Sequence, residues 1–338
     1  MFKIENKIVG RENPTFIIAE IGINHKGSLS LCKKLITEAK KAGADAVKLQ
    51  IVDPLYSYCK NTSSYKIFKK NNLTYENLLK IKKFCKKKKI ILFATPGDFK
   101  SLGVIKKLKF PAIKISSGLI TNYPLIAEAA KTKLPIIIST GMTYLDEIEK
   151  AVKIIKKNRN KNYAILKCTS LYPSPSSEIN LKAIKNLSSK FDNVPIGYSD
   201  HTKNYDACLG AVSLGAKLIE KHITLDKKII VPDQKVSADP KEFRQMVKSI
   251  RNIERLLGKK DISPSKKEIK NRNIYRRSIM SVRDIKKGET LDLKNISLKR
   301  SKGLKLGLPP NDFFKIIGKK IKKTIKIDNA ITKEYIKV

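Results

Sequence analysis

Two lysines stand where the surrounding residues make lysine expensive. Lys48 in AVKLQIV and Lys114 in AIKISSG each interrupt a run that is otherwise almost entirely apolar. An ammonium group buried among such residues is costly unless an anion pairs with it. Two such groups with hydroxyls beside them would form a cradle for phosphate and carboxylate. For either lysine alone, the other reading is that it reaches solvent along its own stem or pairs with Glu20. The chain has three histidines, His25, His201 and His222, each at or just after the end of an apolar run. His201 and His222 fall on neighbouring runs and suit a partly open divalent-metal site, completed by substrate and water, that would polarise a carbonyl. His25 is open between a catalytic role and a supporting or capping one.

These residues need a frame that presents strand ends on one face. Eight β-branched runs supply it: FIIAEIG, AVKLQIV, IILFATP, AIKISSG, PIIISTG, YAILKCT, PIGYSDH and LIEKHIT. Amphipathic segments such as SLCKKLITEAKKAGA and YLDEIEKAVKIIKK lie between them, with apolar positions at helical spacing. Near-continuously apolar strands alternating with helices predict a parallel sheet covered by helices, and about eight units predict an α/β fold of the (β/α)8 TIM-barrel type. No Gly-rich phosphate fingerprint follows the first run, which argues against a doubly wound open sheet. Barrel enzymes work at the C-terminal ends of their strands. Here those ends carry Glu20, with Asn24 and His25 following. Lys48 and Gln50 alternate, so they share one side of their strand. Thr95, Ser116, Ser117, Ser139 and Thr140 close the next three runs. The last three lead into Thr169, Ser170 and Tyr172, then Ser199, Asp200 and His201, then His222.

The pattern stops near Gly258. The expected organisation is a barrel domain over 1–258, a polar Lys-rich linker over 259–275 and a small, mainly β domain over 276–338. A formal net charge of +42 raises the possibility of nucleic-acid binding. The excess is mostly lysine spread along the whole chain, with no tryptophan and no separate basic tail, which reads instead as solvated surface and excludes a specific nucleic-acid partner. No apolar run reaches membrane-spanning length, and MFKIENKIVGREN has no signal core. The five cysteines are scattered and never form a CxxC pair, as expected in a reducing compartment, so a cytoplasmic location is expected.

The ordered blocks AEIGINHKGSL, AVKLQ, ATPGD, KISSG, NYPLI, PIIISTGM, CTSLYPSP, GYSDHT, EKHIT and PDQKVSADP resemble the N-acetylneuraminate (sialic acid) synthase family over essentially the whole chain. RRSI, LKR and LPP near the C-terminus resemble that family's antifreeze-like (SAF) domain. The resemblance implies an aldol-like condensation. The methylene carbon of phosphoenolpyruvate attacks the aldehyde of an open-chain N-acyl hexosamine, water adds at the carbon bearing phosphate, and phosphate leaves. It implies Mn2+ or Mg2+ on His201 and His222. It places Lys48, Thr95, Lys114, Ser117, Ser139, Ser170 and Ser199 around phosphoenolpyruvate. Glu20, Gln50, Tyr172 and Asp233 would face the sugar and the reacting centre. Glu20, Lys48, Lys114 and Tyr172 are the expected catalytic group. Arg300 would reach the N-acyl group from the partner chain of a domain-swapped homodimer.

The chain departs from the pattern at Leu119, where the family has an acid after its KISSG-like block; that acid is thought to help in handling protons. Ser170 stands where some members carry Asn, Gln234 follows Pro-Asp in place of a common His, and SKGLKLGLPP is a longer, more basic loop. Two alternatives remain beside sialic acid synthesis. One is a legionaminic or pseudaminic acid synthase, TNYPLI being more like the sialic and legionaminic branch. The other is a weakly catalytic paralogue that binds sugar, which Leu119 favours and the retained histidines and lysines oppose.

Overall fold

The computed structural model describes residues 2–10, 12–228, 230 and 233–336. Pro232, which opens the PDQKVSADP block, and residues 337 and 338, the end of the expected second domain, lie outside the described residues. The chain divides into two compact units, Met1–Gly258 and Lys259–Val338.

In the first unit, β1 (Phe2–Ile4) and β2 (Lys7–Val9) form an antiparallel hairpin. Eight parallel strands follow: β3 (Phe16–Gly22), β4 (Ala46–Ile51), β5 (Ile91–Pro96), β6 (Ile113–Ile115), β7 (Ile136–Ser139), β8 (Tyr163–Cys168), β9 (Ile196–Asp200) and β10 (Leu218–His222). They close in the order β10-β3-β4-β5-β6-β7-β8-β9, the barrel expected from the eight apolar runs. The hairpin was not among the expected elements. Its alternation is short, but Phe2, Ile4 and Val9 join a cluster with Phe16, Ile18, Ile91, Phe93 and Leu166 at the lower end of the barrel. Each fully buried side chain of this kind contributes about 1.5–3 kcal/mol relative to exposure.

Strand alternation then sorts every wall residue into two sets. Outward residues such as Ile17, Val47, Leu92, Ile138 and Ile165 pack against the helices in one large core. Inward residues change character with height. Phe16, Ile18, Ala46, Ile91, Phe93 and Ile137 fill the lower layers. Further along the same faces come Glu20, Lys48, Thr95 and Ser139, also buried. The apolar plug therefore ends where the polar residues begin. Gly197 in β9 is required by this packing: a Cβ there would stand 2.5 Å from both the Leu166 side chain and the Leu218 carbonyl oxygen.

The helices form as their spacing predicts. In Leu145–Lys157, Ile148, Ala151, Val152 and Ile155 are buried at i, i+3, i+4 and i+7. Asp146 and Glu147 occupy its first turn and Lys156 and Lys157 its last, both complementing the helix dipole. Lysines end several other helices in the same way, among them Lys40 and Lys41, Lys86 to Lys88, and Lys106 and Lys107. Part of the basic excess thus sits at helix C-termini.

The second unit pairs β11 (Arg277–Ser281) with β12 (Ile296–Arg300) antiparallel around a core dominated by isoleucine. Further isolated bridges, such as Ile285 with Ile325 and Thr290 with Lys320, complete a mainly β fold. One expectation is corrected here. The stretch that composition marks as linker contains an α-helix, Lys266–Tyr275. Ser265 and Glu268 form a reciprocal capping box that satisfies the first free N–H groups, a local signal that the polar composition masked.

Candidate active site

The inward residues at the C-terminal strand ends line a cavity of about 650 Å³. At its floor four charged groups lie on four strands, β3, β4, β6 and β10. The Lys48 ammonium is 2.9 Å from Glu20 Oε2 and 3.4 Å from Glu220 Oε2. The Lys114 ammonium is 3.3 Å from Glu220 Oε1. All four residues are buried. Hydroxyls complete the array: Lys114 donates to Ser139 Oγ at 2.6 Å, Lys48 to Thr95 Oγ1 at 3.3 Å, and Ser199 Oγ donates to Glu220 at 2.9 Å. The two lysines singled out by their apolar surroundings therefore do meet. What pairs them in the protein itself is two carboxylates.

These groups perturb one another in opposite directions. Burial pushes the Glu20 carboxyl up to about 7, and Lys48 offsets that only in part. Burial also opposes charge on Glu220, but Lys114, Lys48 and the Ser199 hydroxyl outweigh it and hold that carboxyl below the usual range. Burial lowers the Lys114 ammonium, while the two carboxylates keep Lys48 above its ordinary value despite its own burial. The floor thus holds one firmly ionised carboxylate and one poised near neutrality.

The histidines stand on the β9–β10 side. His201 and His222 have ring centroids 5.5 Å apart, and the Tyr172 ring lies 4.1 Å from that of His201. The Nδ1 of His201 is 2.7 Å from the Thr169 carbonyl oxygen, so it carries a proton, and Nε2 is the nitrogen that offers a lone pair when the ring is neutral. Burial, His201 and Lys48 hold His222 well below the usual histidine range, so its imidazole is neutral. Its buried Nδ1 has no hydrogen-bond partner among the described residues, the Asp233 carboxylate being 3.5 Å away. A neutral, orphaned imidazole beside one with a fixed tautomer is a donor set that fits a divalent ion. Among the described residues no group of three or more His, Cys, Asp or Glu is arranged so that it could hold a metal ion, so the protein would supply two imidazoles.

Gln50, Ser117, Leu119 and Ser170 line the remaining wall. Ser117 Oγ accepts from the Gly141 amide at 3.0 Å. Asp233 is brought to the site beside His222 and Gly22. Gly22 has φ +53°, and a Cβ there would come within 3.1 Å of Glu20 and 3.0 Å of Asp233. It marks a register irregularity between β3 and β4 that turns the chain away above Glu20. His25 takes the supporting alternative. It is buried, accepts from the Gly27 amide at 3.0 Å and is pushed down to about 4 by burial. Arg300 belongs to the second unit, where its guanidinium lies 5.3 Å from the Tyr275 ring centroid.

Glu220 is the residue sequence reasoning missed. It lies two positions before His222 and therefore on the same inward face, so period-2 alternation alone could have found it. Cys168 was also passed over; its Sγ lies 3.6 Å from His201 Nδ1 at the cavity wall.

Comparison with known proteins gives a consistent picture. Residues 35–262 match the model of the NeuB family and residues 276–337 that of the SAF domain. The chain is 45% identical to an uncharacterised protein of Methanocaldococcus jannaschii over 88% of either chain. It is 38% identical to the N,N'-diacetyllegionaminic acid synthase of Campylobacter jejuni, covering 94% of this chain and 98% of the relative. Among solved structures, the N-acetylneuraminic acid (sialic acid) synthetase of Leptospira borgpetersenii superimposes with a TM-score of 0.77 at 37% identity, covering 81% of this chain and 96% of that one.

Proposed function

The chain belongs to the NeuB family, and on that premise we propose that it condenses phosphoenolpyruvate with an N-acylated hexosamine, releasing phosphate to give a nonulosonic acid. It is a carbon–carbon bond-forming transferase. The observation that carries this reading is the floor of the cavity, where Lys48 and Lys114 converge with Ser139, Thr95 and Ser199. These are donors suited to the phosphate and carboxylate of phosphoenolpyruvate.

A divalent metal, Mn2+ or Mg2+, would be held by His201 and His222 and would supply Lewis-acid polarisation of the sugar aldehyde. The protein's own part is positioning and charge control. Lys48 and Lys114 orient the enol phosphate so that its methylene carbon faces the aldehyde. The new bond joins those two carbons; the aldehyde π pair passes to its oxygen, which takes up a proton to become a hydroxyl, and positive charge is left at the carbon bearing phosphate. Water adds there, its proton departs, and the C–O bond to phosphate breaks to leave the keto acid. With leucine at position 119, the carboxyl groups at the floor are Glu20 and Glu220. Of the two, Glu20, poised near neutrality, is suited to exchange a proton with that water. Tyr172, Gln50 and Asp233 flank the sugar end.

The acceptor is drawn from the substrates of sialic and legionaminic acid synthases. Legionaminic acid synthesis is the second reading, supported by the 38% identity to the Campylobacter enzyme. A homodimer whose partner chain delivers Arg300 belongs to the same proposal, as does a cytoplasmic location. The free state of all five cysteines supports that location. No helix among the described residues is long and apolar enough to cross a membrane.

Phosphate release with phosphoenolpyruvate, Mn2+ and a panel of mono- and di-N-acyl hexosamines tests the proposal. Turnover with one class and its loss in both His201→Ala and His222→Ala are expected. Full activity in either variant after chelation and Mn2+ addition overturns the histidine assignment.

A further inference from the structure

Immediately before each site histidine stands a residue of opposite charge to its counterpart. Asp200 precedes His201 and Lys221 precedes His222. Alternation turns the histidines into the barrel and this second pair outward, into the layer between strands and helices. There the Lys221 ammonium meets Asp200 Oδ2 at 2.7 Å, and the two residues are 1% and 0% exposed. They are direct register partners on β9 and β10.

Further hydrogen bonds hold the pair. Lys221 also donates to the Thr202 carbonyl oxygen at 2.6 Å, on the far side of His201. Asp200 accepts from the Thr202 amide at 3.1 Å, the Thr202 hydroxyl at 3.0 Å and the Tyr198 hydroxyl at 3.0 Å. The Cys208 thiol adds a longer contact at 3.5 Å. His201 therefore sits inside a closed loop of bonds, with Asp200 and Thr202 on either side of it both tied to the residue that precedes His222. No other register pair between β9 and β10 carries a buried ion pair. A pair of this kind contributes little net stability compared with an apolar replacement of similar shape. Its geometry is nevertheless specific, since it joins the two backbone segments that bear the imidazoles.

We propose that Lys221 and Asp200 are positioning residues that hold His201 and His222 at the separation a shared divalent cation requires. They act through the wall of the barrel without touching substrate. The inference rests on the two-histidine reading of the site. It places the control of metal affinity one residue outside the donor set, where partners typically change affinity by about 10–100-fold.

The test uses the full chain and Mn2+ alone as probe. Asp200→Asn/Lys221→Met removes both charges together and leaves no uncompensated buried ion. Isothermal calorimetry should show Mn2+ bound about 10–100-fold more weakly than by the wild type. Phosphoenolpyruvate affinity, set by Lys48 and Lys114 on other strands, should be unchanged, which also reports a folded cavity. Lys221→Arg, which keeps the charge, should restore part of the Mn2+ affinity relative to Lys221→Met. Unchanged Mn2+ affinity in the neutral pair overturns the inference. So does equal loss of Mn2+ and phosphoenolpyruvate binding, which would mark a general structural role. A wild type whose Mn2+ binding survives His201→Ala/His222→Ala overturns the two-histidine reading itself, a result distinct from either.

Discussion

Glu20 and Glu220 offset the charge of the anion cradle before substrate arrives, since two ammonium groups face two carboxyl groups, one firmly ionised and one poised near neutrality. A multiply charged ligand entering that cradle favours protonation of the weaker carboxylic acid, Glu20, whose carboxyl titrates at about 7. Below that pH Glu20 is neutral and Lys48 is released to the ligand; above it both carboxylates are charged and oppose binding. Phosphoenolpyruvate affinity should therefore rise as pH falls from about 8 to about 6, with proton uptake on binding. Calorimetry in two buffers of different ionisation enthalpy measures that uptake, and its absence at pH 7.5 refutes the assignment. Glu220 serves both lysines at once. Glu220→Gln should destabilise the free protein by about 3–5 kcal/mol by stranding buried positive charge, and phosphoenolpyruvate should recover part of the loss in a thermal melt. Leu119 lines the cavity where the family resemblance implies a proton-handling acid. Leu119→Glu should raise turnover, by as much as the roughly 10²–10⁴-fold that general acid–base catalysis provides. A wild type with brisk turnover that is slowed by this change would show that Glu20 already completes the proton path.

The strands carry these groups to one height because the inward layers below them are filled. β9 is closely packed at Gly197. Gly197 leaves room for Leu166 and for the β10 backbone, and the chain then delivers Ser199 and His201 two and four positions later on the same face. Gly197→Ala would force a Cβ to within 2.5 Å of its neighbours. Overpacking of this kind costs about 1–3 kcal/mol. A urea titration should show that loss, together with weaker Mn2+ binding, because the displaced strand carries His201. A variant as stable as the wild type would mean that β9 and β10 separate more readily than their packing implies. The hairpin β1–β2 acts from the other end, closing the apolar plug on which the polar layer rests.

For the whole molecule, the chemistry turns on how the proposed sugar acceptor is covered. The barrel cavity holds cationic, anionic and hydroxyl groups at its floor. The guanidinium proposed for the N-acyl group, Arg300, belongs to the second unit, stacked at 5.3 Å from the Tyr275 ring centroid. An arginine can present its donors to an amide oxygen in fixed geometry. In a swapped dimer, a chain carrying His222→Ala and a chain carrying Arg300→Ala, each inactive alone, should regain activity when subunits exchange. One site in the mixed dimer then has an intact barrel and an intact arginine. No recovery despite proven exchange, or a monomer by light scattering, refutes a shared site.

The barrel was legible in the sequence because each strand is short, β-branched and buried on both faces, so periodicity and composition point the same way at all eight positions. Lys48, Lys114, His201 and His222 were legible for a related reason, as polar residues standing in or at the end of runs that are otherwise apolar. Other features depended on contacts between distant residues. Glu220 reads as an ordinary strand-end acid until closure places it 3.3 Å from Lys114, 106 residues earlier in the chain. Asp200 reads as one more strand-end group and Lys221 carries no signal of its own until β9 and β10 pair and bury both. His25 could have turned either way, and burial beside the Gly27 amide decided it. Local sequence sets which residues share a strand face; which charges then compensate one another depends on register and barrel closure, because Coulomb and hydrogen-bond energies act over a few ångströms in space and take no account of separation along the chain.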